Sequence, residues 1–166
     1  FPFNIQLNTG ITSYSGDYRK PELKSDFSLR VGYNFHPNIT PSINLGRSYL
    51  GASNYYDDLL NHIDLGVTYL LTPMKSYTPF FYASLGITAS GKNMTLSEQF
   101  SPLFTDFYMH TVTGAGIEFL VGEKRRWSIS IGGYYNYIFS DELDGVTQGV
   151  YNDYYWKGQV GASFYF

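Results

Sequence analysis

Phe27-Ser28-Leu29-Arg30-Val31-Gly32-Tyr33-Asn34-Phe35 alternates without a break. Phe27, Leu29, Val31, Tyr33 and Phe35 fall on one register, and Ser28, Arg30, Gly32 and Asn34 on the other. A period of two belongs to extended backbone, in which successive side chains point to opposite faces. One face of this segment is therefore apolar and aromatic. The other carries small polar residues and a single cation.

The same pattern recurs on both sides of it. Upstream, Phe1, Phe3, Ile5, Leu7 and Ile11 oppose Asn4, Gln6, Asn8 and Gly10. Downstream, Ile43 and Leu45 oppose Ser42, Asn44, Gly46 and Ser48, and then Leu59, Ile63, Leu65, Val67, Tyr69 and Leu71 oppose His62, Asp64, Gly66 and Thr68. Phe81, Ala83, Leu85, Ile87 and Ala89 oppose Tyr82, Ser84, Gly86, Thr88 and Ser90. Phe107, Met109, Ala115, Ile117 and Phe119 oppose Tyr108, His110, Gly114, Gly116 and Glu118. Trp127, Ile129, Ile131, Tyr135, Tyr137 and Phe139 oppose Ser128, Ser130, Gly132 and Asn136. Last, Tyr154, Trp156, Val160, Ala162, Phe164 and Phe166 oppose Tyr155, Lys157, Gln159, Gly161 and Ser163. No stretch sustains helical spacing. The count is eight strands of about 10–14 residues, long for a globular sheet and suited to tilted membrane crossings.

The connections alternate in length. Short links near His36–Thr40, Thr72–Thr78 and Val121–Arg126 carry Pro37, Asn38, Pro73 and Gly122 as turn residues. Longer links run near Ser15–Ser25, Gly51–Asp58, Gly91–Asp106 and Ser140–Asp153. Outer-membrane barrels have short periplasmic turns and longer extracellular loops, and an even strand number puts both termini in the periplasm. The expected architecture is all-β: one domain over residues 1–166, an eight-stranded antiparallel up-and-down transmembrane β-barrel.

A soluble lipocalin-like barrel is the structural rival, with its apolar face turned inward around a ligand. Composition argues against it. Charged residues are 15% of the chain, against about 25% in ordinary soluble domains, while aromatics reach 19%. The polar face holds four charges in all, Arg30, Asp64, Glu118 and Lys157, too few for a wall that faces water. The apolar face places rings toward the strand ends, among them Tyr33, Tyr69, Phe81, Trp127, Tyr135 and Trp156, as interfacial girdles require. Arg47 falls on this apolar register near an extracellular strand end, where its long side chain can snorkel. With 11 Lys and Arg against 14 Asp and Glu, no basic face for nucleic acid is expected. Zero Cys removes disulfides, thiol catalysis and Cys-ligated metals.

Gln159-Val160-Gly161-Ala162-Ser163-Phe164-Tyr165-Phe166 resembles the C-terminal signal of bacterial outer-membrane proteins, with Gln159, Gly161, Phe164 and Phe166 in its defined positions. The resemblance implies recognition by the barrel-assembly machinery during insertion. The whole chain resembles the small-barrel family of the OmpA transmembrane domain and OmpX; Thr78-Pro79-Phe80-Phe81-Tyr82-Ala83-Ser84-Leu85-Gly86-Ile87 is similar to the Pro-aromatic, Gly-rich fifth strand of that family. No peptidoglycan-binding domain follows Phe166 and no signal peptide precedes Phe1, so the chain reads as a mature, processed barrel.

Inside such a barrel, strands two and six face each other, as do four and eight. Cross-lumen pairs Arg30–Glu118 and Asp64–Lys157 are therefore expected as part of a charge-compensated plug, which the family resemblance also implies. The same charges lined up along water would make a small pore. His62 and His110 share the inward register near Asp64 and Ser90, a set open to reading as a metal site or a hydrolase. Small barrels include lipid A deacylases and palmitoyltransferases, but the deacylase pattern His-x-Ser-Asn is not met: Tyr134-Tyr135-Asn136 stands in its place. No metal, cofactor or catalytic residue is assigned.

The long loops are acidic and aromatic, as in Tyr55-Tyr56-Asp57-Asp58, Asp141-Glu142-Leu143-Asp144 and Tyr151-Asn152-Asp153. Solvated loop ends explain them, and divalent cations can bridge them to anionic outer-leaflet lipid. Met94, Leu96, Phe100, Leu103 and Phe104 make the third long loop more apolar than a free surface loop, which suits a docking segment. The expected function is a non-enzymatic outer-membrane barrel with a plugged lumen. Its expected partners are outer-membrane lipid and lipopolysaccharide or a larger outer-membrane complex. A lipid A-modifying enzyme and a small pore are the alternatives.

Overall fold

Each alternating segment forms one strand of a computed structural model, which describes residues 2–15, 22–52, 56–73, 75–90, 107–122, 125–139 and 153–166. The strands are β1 (Phe3–Ser15), β2 (Leu23–Tyr33), β3 (Ile39–Ala52), β4 (Tyr56–Leu70), β5 (Tyr77–Ser90), β6 (Phe107–Val121), β7 (Trp127–Ile138) and β8 (Tyr154–Tyr165). Each pairs antiparallel with its neighbour in sequence, and β8 returns to β1, so the sheet is a closed barrel. Closure leaves no unpaired strand edge, a requirement for backbone in hydrocarbon. The seam is tied at its lower end by Phe3 N–H to Phe166 O at 3.2 Å and Phe166 N–H to Phe3 O at 3.0 Å.

The polarity of the wall is inverted relative to a soluble barrel. Leu65, Phe27 and Ile131 point outward at 68%, 53% and 56% exposure, whereas Arg30, Asp64 and Lys157 point inward at 5%, 1% and 5%. Water on the outside would favour the opposite arrangement; hydrocarbon outside favours this one. Short connections gather at one end. His36 and Ile39 exchange backbone hydrogen bonds across the first of them, and Asn38 Nδ2 caps Leu70 O at 2.7 Å. In the third, Gly122 takes a φ of 80° that its lack of a Cβ permits.

Strand β2 starts at Leu23, earlier than the Phe27 start expected from the apolar run, and this brings Asp26 into the barrel. The pairing also closes on an offset. Followed from Arg30 away from β1, the register passes through Asn44, Asp64, Gly86 and His110 to Ile138. Followed the other way it passes through Gln6 and Ser163 to Ser128. The two routes meet β7 ten residues apart. That offset is the barrel's shear, and it tilts the strands by roughly 40°.

Two apolar clusters interrupt the polar lumen. Tyr14, Leu50, Leu60, Ile138 and Tyr155 form one toward the long-loop end. Phe80, Tyr82, Val112 and Tyr134 form the other, lower down.

Candidate functional site

The inward register supplies every member of the lumen network. Asp26 on β2 lies 3.0 Å from Lys157 Nζ on β8, and accepts hydrogen bonds from Ser48 Oγ at 2.5 Å and from Gln159 Nε2. Gly10 of β1 stands between Asp26 and Gln159 in the register, so the two side chains meet over a strand with nothing projecting from it. Gly86 of β5 does the same for Asp64 and His110, whose Oδ1 and Nε2 are 2.7 Å apart, although the ring N–H is bent away from hydrogen-bond alignment. Asn44 Nδ2 donates to Asp64 Oδ2 at 2.9 Å. His62 Nε2 is 3.9 Å from the same oxygen, and the two imidazoles meet edge to face at 5.9 Å.

Arg30 lies flat over the Tyr82 ring, 3.9 Å from its centroid, and Nη1 reaches Gln6 Oε1 at 3.4 Å. Glu118 accepts from Ser128 Oγ and Tyr165 OH. Gln6 Nε2 donates to Ser130 Oγ at 2.8 Å, bracing β1 against β7. Near the top of β8, Tyr14 OH donates to Asp153 at 2.8 Å.

The four expected charges thus all enter the lumen, but not in the expected pairs. Lys157 pairs with Asp26 and not with Asp64, which lies against His110 and accepts from Asn44. Arg30 and Glu118 form no ion pair; the tilt sets Glu118 below the level opposite Arg30, so Arg30 stacks on Tyr82 and Glu118 is held by hydroxyls. Asp26 is the residue that sequence reading missed. It continues the inward register of Ser28 and Arg30, but the apolar alternation starts only at Phe27.

Below this network, the lumen opens toward the short-turn end in a cavity of about 30 Å³ between Gln6, Arg30, Glu118, Ser130 and Tyr165. That is room for a water or two, not for a hydrated ion path. Among the described residues, no group of three or more His, Asp or Glu is arranged to hold a metal. Of the terminal segment, Gln159 faces the lumen and Gly161 packs against Asn8, Gln6 and Ser130. Phe164 and Phe166 face outward, with centroids 6.3 Å apart, and Phe166 stacks on Phe3 at 6.0 Å. Met94, Leu96, Phe100, Leu103 and Phe104 lie outside the described residues, as do Asp141, Glu142 and Asp144.

An apolar wall around a polar, filled lumen is an outer-membrane arrangement, and comparison with solved structures bears on it directly. Neisserial surface protein A (NspA) superposes with a TM-score of 0.73 at 15% identity, covering 100% of this chain and 98% of that one. The fold is that of the small outer-membrane barrels. The N-terminal β-barrel domain of Pseudomonas aeruginosa OprF matches with a TM-score of 0.58 at 10% identity over 97% of this chain and 96% of that one. The outer membrane enzyme PagL matches with a TM-score of 0.54 at 15% identity over 98% and 99%. No protein-family model and no curated protein matches the chain. This architecture therefore occurs in an enzyme as well as in surface proteins, and the scaffold alone does not assign a reaction.

Proposed function

We propose that this chain is a non-enzymatic integral barrel of a Gram-negative outer membrane, with both termini periplasmic, that acts through its outer wall and its long loops. One observation carries the reading: side chains of the described strands fill the lumen. Among the described residues, two apolar clusters and a polar network occupy it, with a cavity of about 30 Å³ at the short-turn end. A filled lumen supports a structural or accessory role in the outer membrane, with lipid, lipopolysaccharide and the barrel-assembly machinery as partners. The apolar loop that includes Met94, Leu96 and Phe104 would dock on a larger complex. Conductance tests this. The reconstituted barrel is expected to be silent in planar bilayers, and stable ion-carrying steps that change on Asp64→Asn would overturn the filled-lumen reading.

The alternative is an enzyme acting on outer-leaflet lipid, favoured by the His62–Asp64–His110 cluster and by PagL having this fold. These side chains are nearly inaccessible, the ionisable ones at 1–2% exposure, and they face away from lipid. Lipid A from cells producing the wild type and the His62→Ala, His110→Ala double variant is expected to be identical. A modification lost with the histidines while the barrel still folds would establish the enzyme.

A further inference from the structure

Among the residues whose side chains are described, the outward register of the eight strands carries one charge, Arg47 of β3. A cation on a hydrocarbon-facing wall is unfavourable unless its head reaches an anion or water. Arg47 lies eight residues above Ile39, about 20 Å along the axis at ~3.3 Å per residue and a tilt of ~40°. That is near the upper edge of an apolar band about 25 Å tall. Its Nε donates to Asn61 Oδ1 at 2.9 Å across the β3–β4 register pair. This bond fixes the plane of the guanidinium. The two Nη groups meet no acceptor among the described side chains.

The wall below Arg47 is hollowed. A groove of about 880 Å³ runs beneath it, bounded by Leu7, Phe27, Leu29 and Leu45, with the small Thr9 and Ala162 in its floor. The strand tilt leads down from Arg47 through its register partners Phe27 and Thr9 toward β8, so the groove descends toward the membrane interior. A cation held by Asn61, without a carboxylate partner among the described side chains and set above an apolar trough, is complementary to one kind of molecule, an amphiphile with an anionic head and acyl chains.

We propose that Arg47, oriented by Asn61, binds the phosphate of an anionic lipid in the leaflet at the long-loop end, with an acyl chain lying in the groove over Thr9 and Ala162. This rests on the membrane-barrel reading above. The fork of Nη donors suits bidentate contact with phosphate, which a lysine could not reproduce.

Native mass spectrometry of the full chain, from micelles holding equal amounts of bisphosphorylated lipid A and phosphatidylcholine, tests it. The wild type is expected to retain the phosphorylated lipid preferentially. Arg47→Gln should reduce that preference about tenfold and Arg47→Lys less. Asn61→Leu and Ala162→Phe leave the cation in place and should each weaken retention, the first by releasing the guanidinium and the second by filling the trough. Unboiled gel mobility is read on every sample. A folded Arg47→Gln barrel with the wild-type lipid ratio would overturn the lipid site alone. So would a copurifying protein, with no lipid, whose retention follows Arg47. If Arg47→Gln does not fold, wild-type retention by both Asn61→Leu and Ala162→Phe would overturn it. A wild-type chain with no heat-modifiable band would instead overturn the barrel reading beneath it.

Discussion

Lys157 and Asp26 offer the sharpest test of how the lumen is held. At 3.0 Å and an effective dielectric of about 20, their gross attraction is about 5.5 kcal/mol, most of which offsets the desolvation of two buried charges. The net worth of the pair is therefore small, but losing one partner is not. Lys157→Met leaves a carboxylate at 0% exposure with only Ser48 and Gln159 as donors, at a cost of about 3 kcal/mol, the low end for a broken buried pair. Asp26→Asn takes the ion-pair partner from an ammonium that keeps the Tyr155 ring at 5.5 Å, at a cost of about 3–4 kcal/mol. With both changes neither member of the pair is charged, and the double variant should be no less stable than either single one. Urea unfolding of the barrel in phospholipid vesicles, followed by tryptophan fluorescence, measures all four corners of the cycle. A double variant whose loss equals the sum of the singles, within about 0.5 kcal/mol, would refute the pairing.

The glycine gap between Asp64 and His110 gives a second outcome. A side chain at Gly86 would collide with Asp64, so Gly86→Val should cost about 2 kcal/mol or more in the same assay, whereas Gly133→Ala, which meets nothing within 4 Å, should stay within about 0.5 kcal/mol. The wall can be tested at mid-height. Leu65 is 68% exposed, and Leu65→Arg should destabilise the vesicle-inserted barrel by about 2–4 kcal/mol; an unchanged midpoint would mean that the wall faces water. At the seam, Phe166 stacks on Phe3 and Phe164, and Phe166→Ser should lower the yield of assembled barrel in cells more than Phe3→Ser does. Equal losses would count against a recognition role for the terminal aromatics.

The barrel itself was legible because one rule, a period of two, governs nearly every residue of it. Apolar side chains at Phe27, Leu29, Val31 and Tyr33 point outward, and the same parity assigns Arg30, Asp64, Glu118 and Lys157 to the lumen. Strand starts were less legible where alternation loses its contrast. In Leu23-Lys24-Ser25-Asp26 the outward position 25 is a serine, so hydropathy reads as loop although the backbone is already paired with Thr12 and Gly10 of β1. That cost the reading Asp26, the partner of the buried Lys157.

Which charges pair is a different question, because parity decides only the face. Placing strands two and six opposite each other is correct, but height along the axis depends on shear, which no single strand encodes. With the routes from Arg30 meeting β7 ten residues apart, the level opposite Arg30 on β6 falls between His110 and Glu118, at glycine-bearing positions where nothing can pair with it. The guanidinium turns to the nearest polarizable surface, the ring of Tyr82. The ion pair between full charges forms over a shorter reach, two strands apart, and the Asp64–His110 contact spans the same distance. In both places a glycine occupies the intervening inward position: Gly10 under Asp26 and Gln159, and Gly86 between Asp64 and His110. A side chain at Gly86 would run into the Asp64 carboxylate, and one at Gly10 into the β8 backbone at Gly158 and Gln159. Other lumen glycines, Gly66, Gly114 and Gly116, make room for the rings of Tyr82, Tyr134 and Phe80, so a glycine gap locates a polar pair here only where both flanking strands place a polar side chain beside it, as at Gly10 and Gly86.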